Sequence, residues 1–228
     1  MLKNFVSPFI FGFGGVLILI ALGSWQIQRL SWKKNILSEI ELTTTATPKE
    51  LPGNESKEKN QYMPVVTNGK ILNSEIHVLI SIKYKGPGYR VISAFDLGTR
   101  KVLLDQGFIP LNAKGNLSKS WQADVIGNLY WPDEIDSFTP KPDFTKGIWF
   151  ARDVAEIAKK LGTDPVMIVA KSISPQRPDV IILPITPERI PNNHFQYALT
   201  WFSLALVWAG MTLYLVWRIR YTKKKLRD

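Results

Sequence analysis

The sequence predicts a membrane protein in which two transmembrane α-helices flank one β-rich, antiparallel α+β domain outside the bilayer. Three observations predict it. An uncharged run extends from Asn4 to Gln28, between Lys3 and Arg29. A second extends from Phe195 to Trp217, between His194 and Arg218. Between them, short apolar runs recur, punctuated by Gly, Pro, Asn and Asp. A helix rises 1.5 Å per residue, so about 20 apolar residues cross a hydrocarbon core of roughly 30 Å. Each terminal run is long enough. The implied organisation is a first spanning helix at 5–29, a folded domain at 30–193, a second spanning helix at 194–217 and a basic tail at 218–228.

The first run starts close to Met1 with no Arg-rich amphipathic presequence, and ends in Gly23-Ser24-Trp25-Gln26, a poor small-residue cleavage site. It reads as a retained anchor, and the missing transit peptide points to a bacterial inner membrane. A helix from Ser31 ends where Glu39–Asn60 turns polar and rich in Thr and Pro. Strands are predicted at Pro64–Leu72, Ile76–Lys83, Tyr89–Phe95, Val102–Ile109 and Val125–Trp131. Turns separate them at Asn73-Ser74, Gly86-Pro87-Gly88, Gly98-Thr99 and Asn112–Gly115. Their close spacing favours antiparallel meanders over βαβ units. Asp153 to Leu161 predicts a short amphipathic helix, capped by Asp153 and stopped by Gly162. Val166–Ala170 is a late apolar strand. Five prolines between Pro175 and Pro191 predict an extended return to the second helix.

The chain of 228 residues carries a formal net charge of +10. Six basic residues against one acid crowd into Arg218–Asp228, whereas the middle domain is nearly balanced. A nucleic-acid footprint is therefore not expected. A basic cluster after a spanning helix is a cytoplasmic anchor in contact with membrane lipid. It predicts both termini in the cytoplasm and a periplasmic middle domain. Arg29, Lys33 and Lys34 oppose this orientation, but are fewer and diluted by Glu39 and Glu41. The absence of cysteine excludes disulfides, thiolate metal sites and cysteine nucleophiles.

Enzyme templates fail. There is no H-E-x-x-H, G-x-S-x-G, Walker loop or G-x-G-x-x-G. Asp133, Glu134 and Asp136 read as a solvated turn, Asp105 as a satisfied strand carboxylate and His77 as a residue on a solvated strand face. Gly12-Phe13-Gly14-Gly15 reads as helix-packing material. A non-enzymatic chain is expected. The expected periplasmic helix ends are richer. At 100° per residue, His194, Tyr197 and Trp201 share a face with Ala198 and Ala205. On the first helix Gly15, Gly23 and Gln26 share a face with Arg29, and small residues let two helices approach. Interfacial aromatics are ordinary anchors. The same set also makes a groove with one metal ligand, one cation and aromatic walls, which suits a haem: iron takes an imidazole nitrogen, and propionates suit Arg.

These residues resemble the Surfeit locus protein 1 family, assembly factors for cytochrome c oxidase. Gly23-Ser24-Trp25-Gln26-Ile27-Gln28-Arg29-Leu30-Ser31-Trp32-Lys33 resembles the family's Gly-x-Trp-Gln-x-x-Arg-x-x-Trp-Lys signature. Asn193-His194-Phe195-Gln196-Tyr197-Ala198-Leu199-Thr200-Trp201-Phe202 resembles its second-helix signature. Leu103-Leu104-Asp105-Gln106-Gly107 is similar to its central strand, with Asp105-Gln106 where the family has Asn-Arg. The resemblance implies a part in placing haem a in the oxidase core subunit, alongside other assembly factors. It implies His194 as a haem-iron ligand; helix spacing and shared depth then place Tyr197, Trp201, Gln26 and Arg29 around it. The alternative is a structural scaffold that binds the nascent core subunit without touching haem.

Overall fold

The computed structural model describes residues 3–114, 119–186 and 192–225. The expected turn residue Gly115, the prolines Pro187 and Pro191, and Arg227 and Asp228 lie outside these. The chain divides into two compact units, Met1–Glu39 with Glu188–Asp228, and Ile40–Pro187.

Helix α1 covers Lys3–Thr45, a single helical turn α2 covers Lys57–Asn60, and α4 covers His194–Lys225. α1 and α4 are long and apolar enough to cross a membrane. α1 is longer than expected. It continues through Ser31 without a break, and its 43 residues span about 65 Å. It ends where Thr44 and Thr45 donate their hydroxyls to the Glu41 carbonyl, shortly before Pro48. Asn128, buried in the barrel, donates its amide to the carbonyls of Thr44 and Tyr62 at 3.1 and 3.0 Å. The last turn of α1 thus has a partner for one of its orphan carbonyls.

The second unit is a closed barrel. Its strands are β2 (Pro64–Ile82), β3 (Gly86–Asp96), β4 (Lys101–Pro110), β5 (Trp121–Leu129) and β7 (Met167–Ser174), with two-residue strands β1 (Lys49–Glu50) and β6 (Ile148–Trp149) alongside β2. The order β2-β3-β4-β7-β5 returns to β2, because β2 pairs with β5 through Pro64–Ile71 and with β3 mainly through Glu75–Ile82. Numbered along the chain, the five strands run 1-2-3-5-4-1, the connectivity of the OB-fold barrel.

Two features differ from the sequence expectation. Asn73-Ser74 does not separate two strands; it sits in a bulge between Ile71 and Glu75 that bends one long strand from one neighbour to the other. And β4 and β7 run parallel, so the sheet is antiparallel except at this pair and at the two short strands. The crossover between β5 and β7 holds a short helix, α3 (Val154–Leu161), and supplies the length that a parallel connection needs.

β4 and β7 are apolar on both faces, since each is covered twice. Val102, Leu104, Ile168 and Ala170 join Val65, Ile71, Phe95 and Val125 in a cluster drawn from all five barrel strands. Leu103, Met167 and Val169 point the other way, as strand alternation requires, and meet Val154, Ile157 and Ala158 of α3. α3 is held as its sequence predicts. The Asp153 carboxylate accepts from the Glu156 N–H at 3.0 Å, and Gly162 closes the helix in the left-handed region at φ +65°.

Gly107 is the tightest point in β4. Its φ is +129°, and an added Cβ would lie 2.2 Å from the Ile181 carbonyl oxygen. That approach lets Phe108 and Ile181 exchange two backbone hydrogen bonds of 2.8 Å each, which pin the proline-rich return segment to the barrel. Gly107→Ala must therefore strain the backbone and displace that segment. The expected loss is about 2–4 kcal/mol, read as a lowered midpoint in denaturant by tryptophan fluorescence of the detergent-solubilised chain. An unchanged midpoint would show that the return segment contributes nothing.

Candidate functional site

In the first unit α1 and α4 pack together through the small residues the sequence marks. A Cβ on Gly15 would lie 2.5 Å from the Trp208 indole nitrogen, and one on Gly23 2.7 Å from the Phe202 ring. Gly12 faces Thr212 in the same way, whereas Gly14 faces open space. Residue numbers fall on one helix as they rise on the other, so the pair is antiparallel. Ala198 and Ala205 are buried. Trp208 donates its indole N–H to the Gly12 carbonyl at 3.1 Å, a polar contact at one end of the seam.

At the opposite end of this seam, His194 and Gln26 meet. His194 opens α4 and is half-buried. Its Nδ1 lies 2.8 Å from the Gln26 side-chain oxygen. Gln26 is buried, one turn beyond Gly23 on the helix-facing side of α1. The amide oxygen is an acceptor, so Nδ1 donates to it; in the neutral imidazole Nε2 then keeps its lone pair. Among the described residues Nε2 has no protein partner. Tyr197 is exposed and Trp201 half-buried, one and two turns along α4. Arg29 is exposed, with its guanidinium stacked 4.4 Å from the centroid of the Trp32 ring. The structure thus joins Gln26 directly to His194, and Arg29 to Trp32. A shared helix depth gave no sign of either bond.

The barrel unit holds a different constellation. Asp105, fully buried in β4, accepts from Arg90 of β3 and from Arg152 at 3.2 Å. Arg152 in turn binds Glu134 through its Nε at 2.9 Å and its backbone N–H at 2.9 Å, and lies over the Tyr130 ring. Glu134 is exposed, as the solvated reading expects, yet a cation eighteen residues away in sequence holds it in place. His77, by contrast, is not on a solvated face. It is buried, 3.1 Å from Glu75 and edge-on to Tyr89. Glu75 continues to Arg177 at 2.8 Å, which also grips Asp179. Gln106, where the resemblance led to an arginine, is buried and donates to Ser93 at 2.6 Å. These groups lock strands and return segment together. Among the described residues, no three His, Asp or Glu side chains converge as metal ligands.

Two apolar helices and a closed barrel define a membrane-anchored barrel protein with a His–Gln pair on its helices. The sequence model of the SURF1 family matches residues 14–206, and the chain belongs to that family. It is similar to the human Surfeit locus protein 1 (30% identity over 225 residues, 83% of this chain and 73% of the relative). It is similar to the rat protein of that name (28% over 209 residues, 80% and 67%). It is also similar to a SURF1-like protein of Rickettsia conorii (29% over 216 residues, 90% and 88%).

Two outcomes follow. Gly15→Leu should separate the helices, because the indole of Trp208 cannot swing away without losing its bond to Gly12. Spin labels on Ser24→Cys and Ser203→Cys in this cysteine-free chain should report a longer, broader distance; an unchanged distribution would show that the seam tolerates bulk. The second concerns pH. Burial raises the pKa of Glu134, but the hydrogen bonds and charge of Arg152 outweigh it and hold the carboxyl below its ordinary value. A depressed carboxylate stabilises the fold above the unfolded-state pKa of about 4.3 and loses that contribution as pH falls through the folded value. Melting temperature should therefore drop as pH is lowered from about 5 towards 3, and Glu134→Gln should flatten part of the drop. A variant with the wild-type profile would remove Glu134 from the account.

Proposed function

We propose that this chain is an inner-membrane assembly factor for cytochrome c oxidase that holds haem a in transit, with His194 as the iron ligand. Both termini lie in the cytoplasm and the barrel in the periplasm. The partners are the oxidase core subunit and other assembly factors. The family supports the assembly role, and the signatures around Gln26 and His194 support the site.

One observation carries the haem reading: the 2.8 Å bond between Gln26 and His194 Nδ1. A ligating histidine ordinarily donates its second nitrogen to a fixed acceptor, which sets the tautomer and the ring orientation. Gln26 does this here and leaves Nε2 available. Tyr197 offers an exposed aromatic surface beside it, and Arg29 an exposed cation suited to a propionate. A haem bound here would supply an iron with an open coordination position. A single protein ligand suits cargo that must be released again. This assigns Gln26 to positioning the ligand, and leaves Arg29 as the cation for the propionates.

His194→Ala should remove most haem a from chain purified out of cells that make it, while the protein stays inserted. Gln26→Leu should lower occupancy about tenfold and shift the absorption band, since the imidazole loses its orienting acceptor. If His194→Ala retains full haem with an unchanged spectrum, the scaffold reading replaces this one.

A further inference from the structure

The barrel has an open sheet edge beside a cleft whose lining is part apolar and part charged. On one side β2 pairs with β3 as far as Ile82. On the other, β5 leaves at Ile71 and β6 covers only His77 and Val78. After Trp149 the chain of β6 departs, while β2 continues through Leu79, Ile80, Ser81 and Ile82 with no neighbour among the described residues. Pro87 stands opposite Ser81 and has no N–H to give. That position is a non-hydrogen-bonded pair, so by alternation Leu79 and Ser81 turn their N–H and C=O groups to the open edge. His77 obeys the same alternation, and there the outward groups meet β6.

The space beside this edge is a cleft of 270 Å³. Val78, Leu79 and Ile80 of β2 line it together with Phe150 and with the paired charges Arg90, Glu134 and Arg152. A second cleft of 190 Å³, lined by Ile135, Phe144, Pro140 and Trp149, shares Phe150. Leu79 and Phe150 are each 37% exposed. Arg90 and Arg152 are already paired with Asp105 and Glu134, so they do not ask for an anion. Lys83 and Lys85, exposed at the tip of the β2–β3 hairpin, are not in ion pairs among the described residues. Unpaired backbone groups beside exposed apolar side chains such as Leu79 and Phe150 take a strand. The two lysines repel a second copy of the same edge and favour an acidic flank.

We propose that β2 of the barrel is a docking edge for another polypeptide: an extended apolar segment with acidic flanks adds to Leu79–Ile82 and seats side chains against Phe150. The site is independent of whatever His194 holds.

The test uses the full chain in detergent and a blocked peptide, Asp-Val-Thr-Val-Thr-Val-Asp. In the free protein the amides of Leu79 and Ser81 should exchange much faster than those of Ile80 and Ile82, which face β3. At millimolar peptide, exchange at Leu79 and Ser81 should slow at least tenfold. The same peptide with Lys in place of Asp should bind at least fivefold more weakly. Leu79→Lys and Phe150→Ala, both at exposed positions, should abolish the effect with the melting temperature unchanged. Slow exchange at Leu79 and Ser81 in the free chain would show that the edge is already covered. No slowing with the acidic peptide, or equal slowing at all four amides, would also overturn the proposal. Edge protection that grows with protein concentration alone would mean that a second copy is the occupant, and would overturn it as well.

Discussion

The barrel depends on one strand serving two neighbours. β2 gives its first half to β5 and its second to β3, and the bulge between Ile71 and Glu75 changes its direction. Without that bend the sheet would end in two edges and the cluster around Phe95 and Leu104 would face water. The surrounding polar contacts make sense as supports of the bend. The Asn73 backbone N–H donates to the Ser120 hydroxyl. Glu75, the first residue past the bulge, is held by Arg177, and Arg177 by Asp179. Buried charges of this kind are costly unless fully paired, and here they are shared in a chain.

The helical unit answers a different constraint. In hydrocarbon there is no water to drive apolar faces together, so packing needs small residues and internal polar partners. Gly12, Gly15 and Gly23 supply the first; the Trp208 indole and the His194–Gln26 pair supply the second. The seam therefore carries a polar bond towards each end and close packing between them.

Much of this was legible in the chain. The uncharged runs gave both long helices, the turn residues gave most strands, and Asp153 and Gly162 gave α3. The limits of α1 were not legible, because Ser31–Thr45 is polar without being a helix breaker. Nor was the continuity of β2, because a bulge and a turn use the same Asn and Ser. The parallel β4–β7 pair was hidden by an irregular crossover whose length, not composition, permits it. At the sites, the types of residue were readable and their partners were not: Glu134 with Arg152, His77 with Glu75, and Gln26 with His194 are joined by tertiary folding across 18, two and 168 positions. Only the second lies within the reach of local pattern.

The contact between Gly15 and Trp208 ties two distant positions into one volume. An indole fills the place where a side chain at position 15 would sit, and its N–H is bound one turn further along the same helix. Neither residue is free to drift alone. In lineages that enlarge position 15, position 208 has to shrink in step, and the carbonyl of residue 12 then loses its donor. Evolution along this seam proceeds by paired exchange, so the two positions should carry a covariation signal stronger than that of any pair of lipid-facing residues on the same helices.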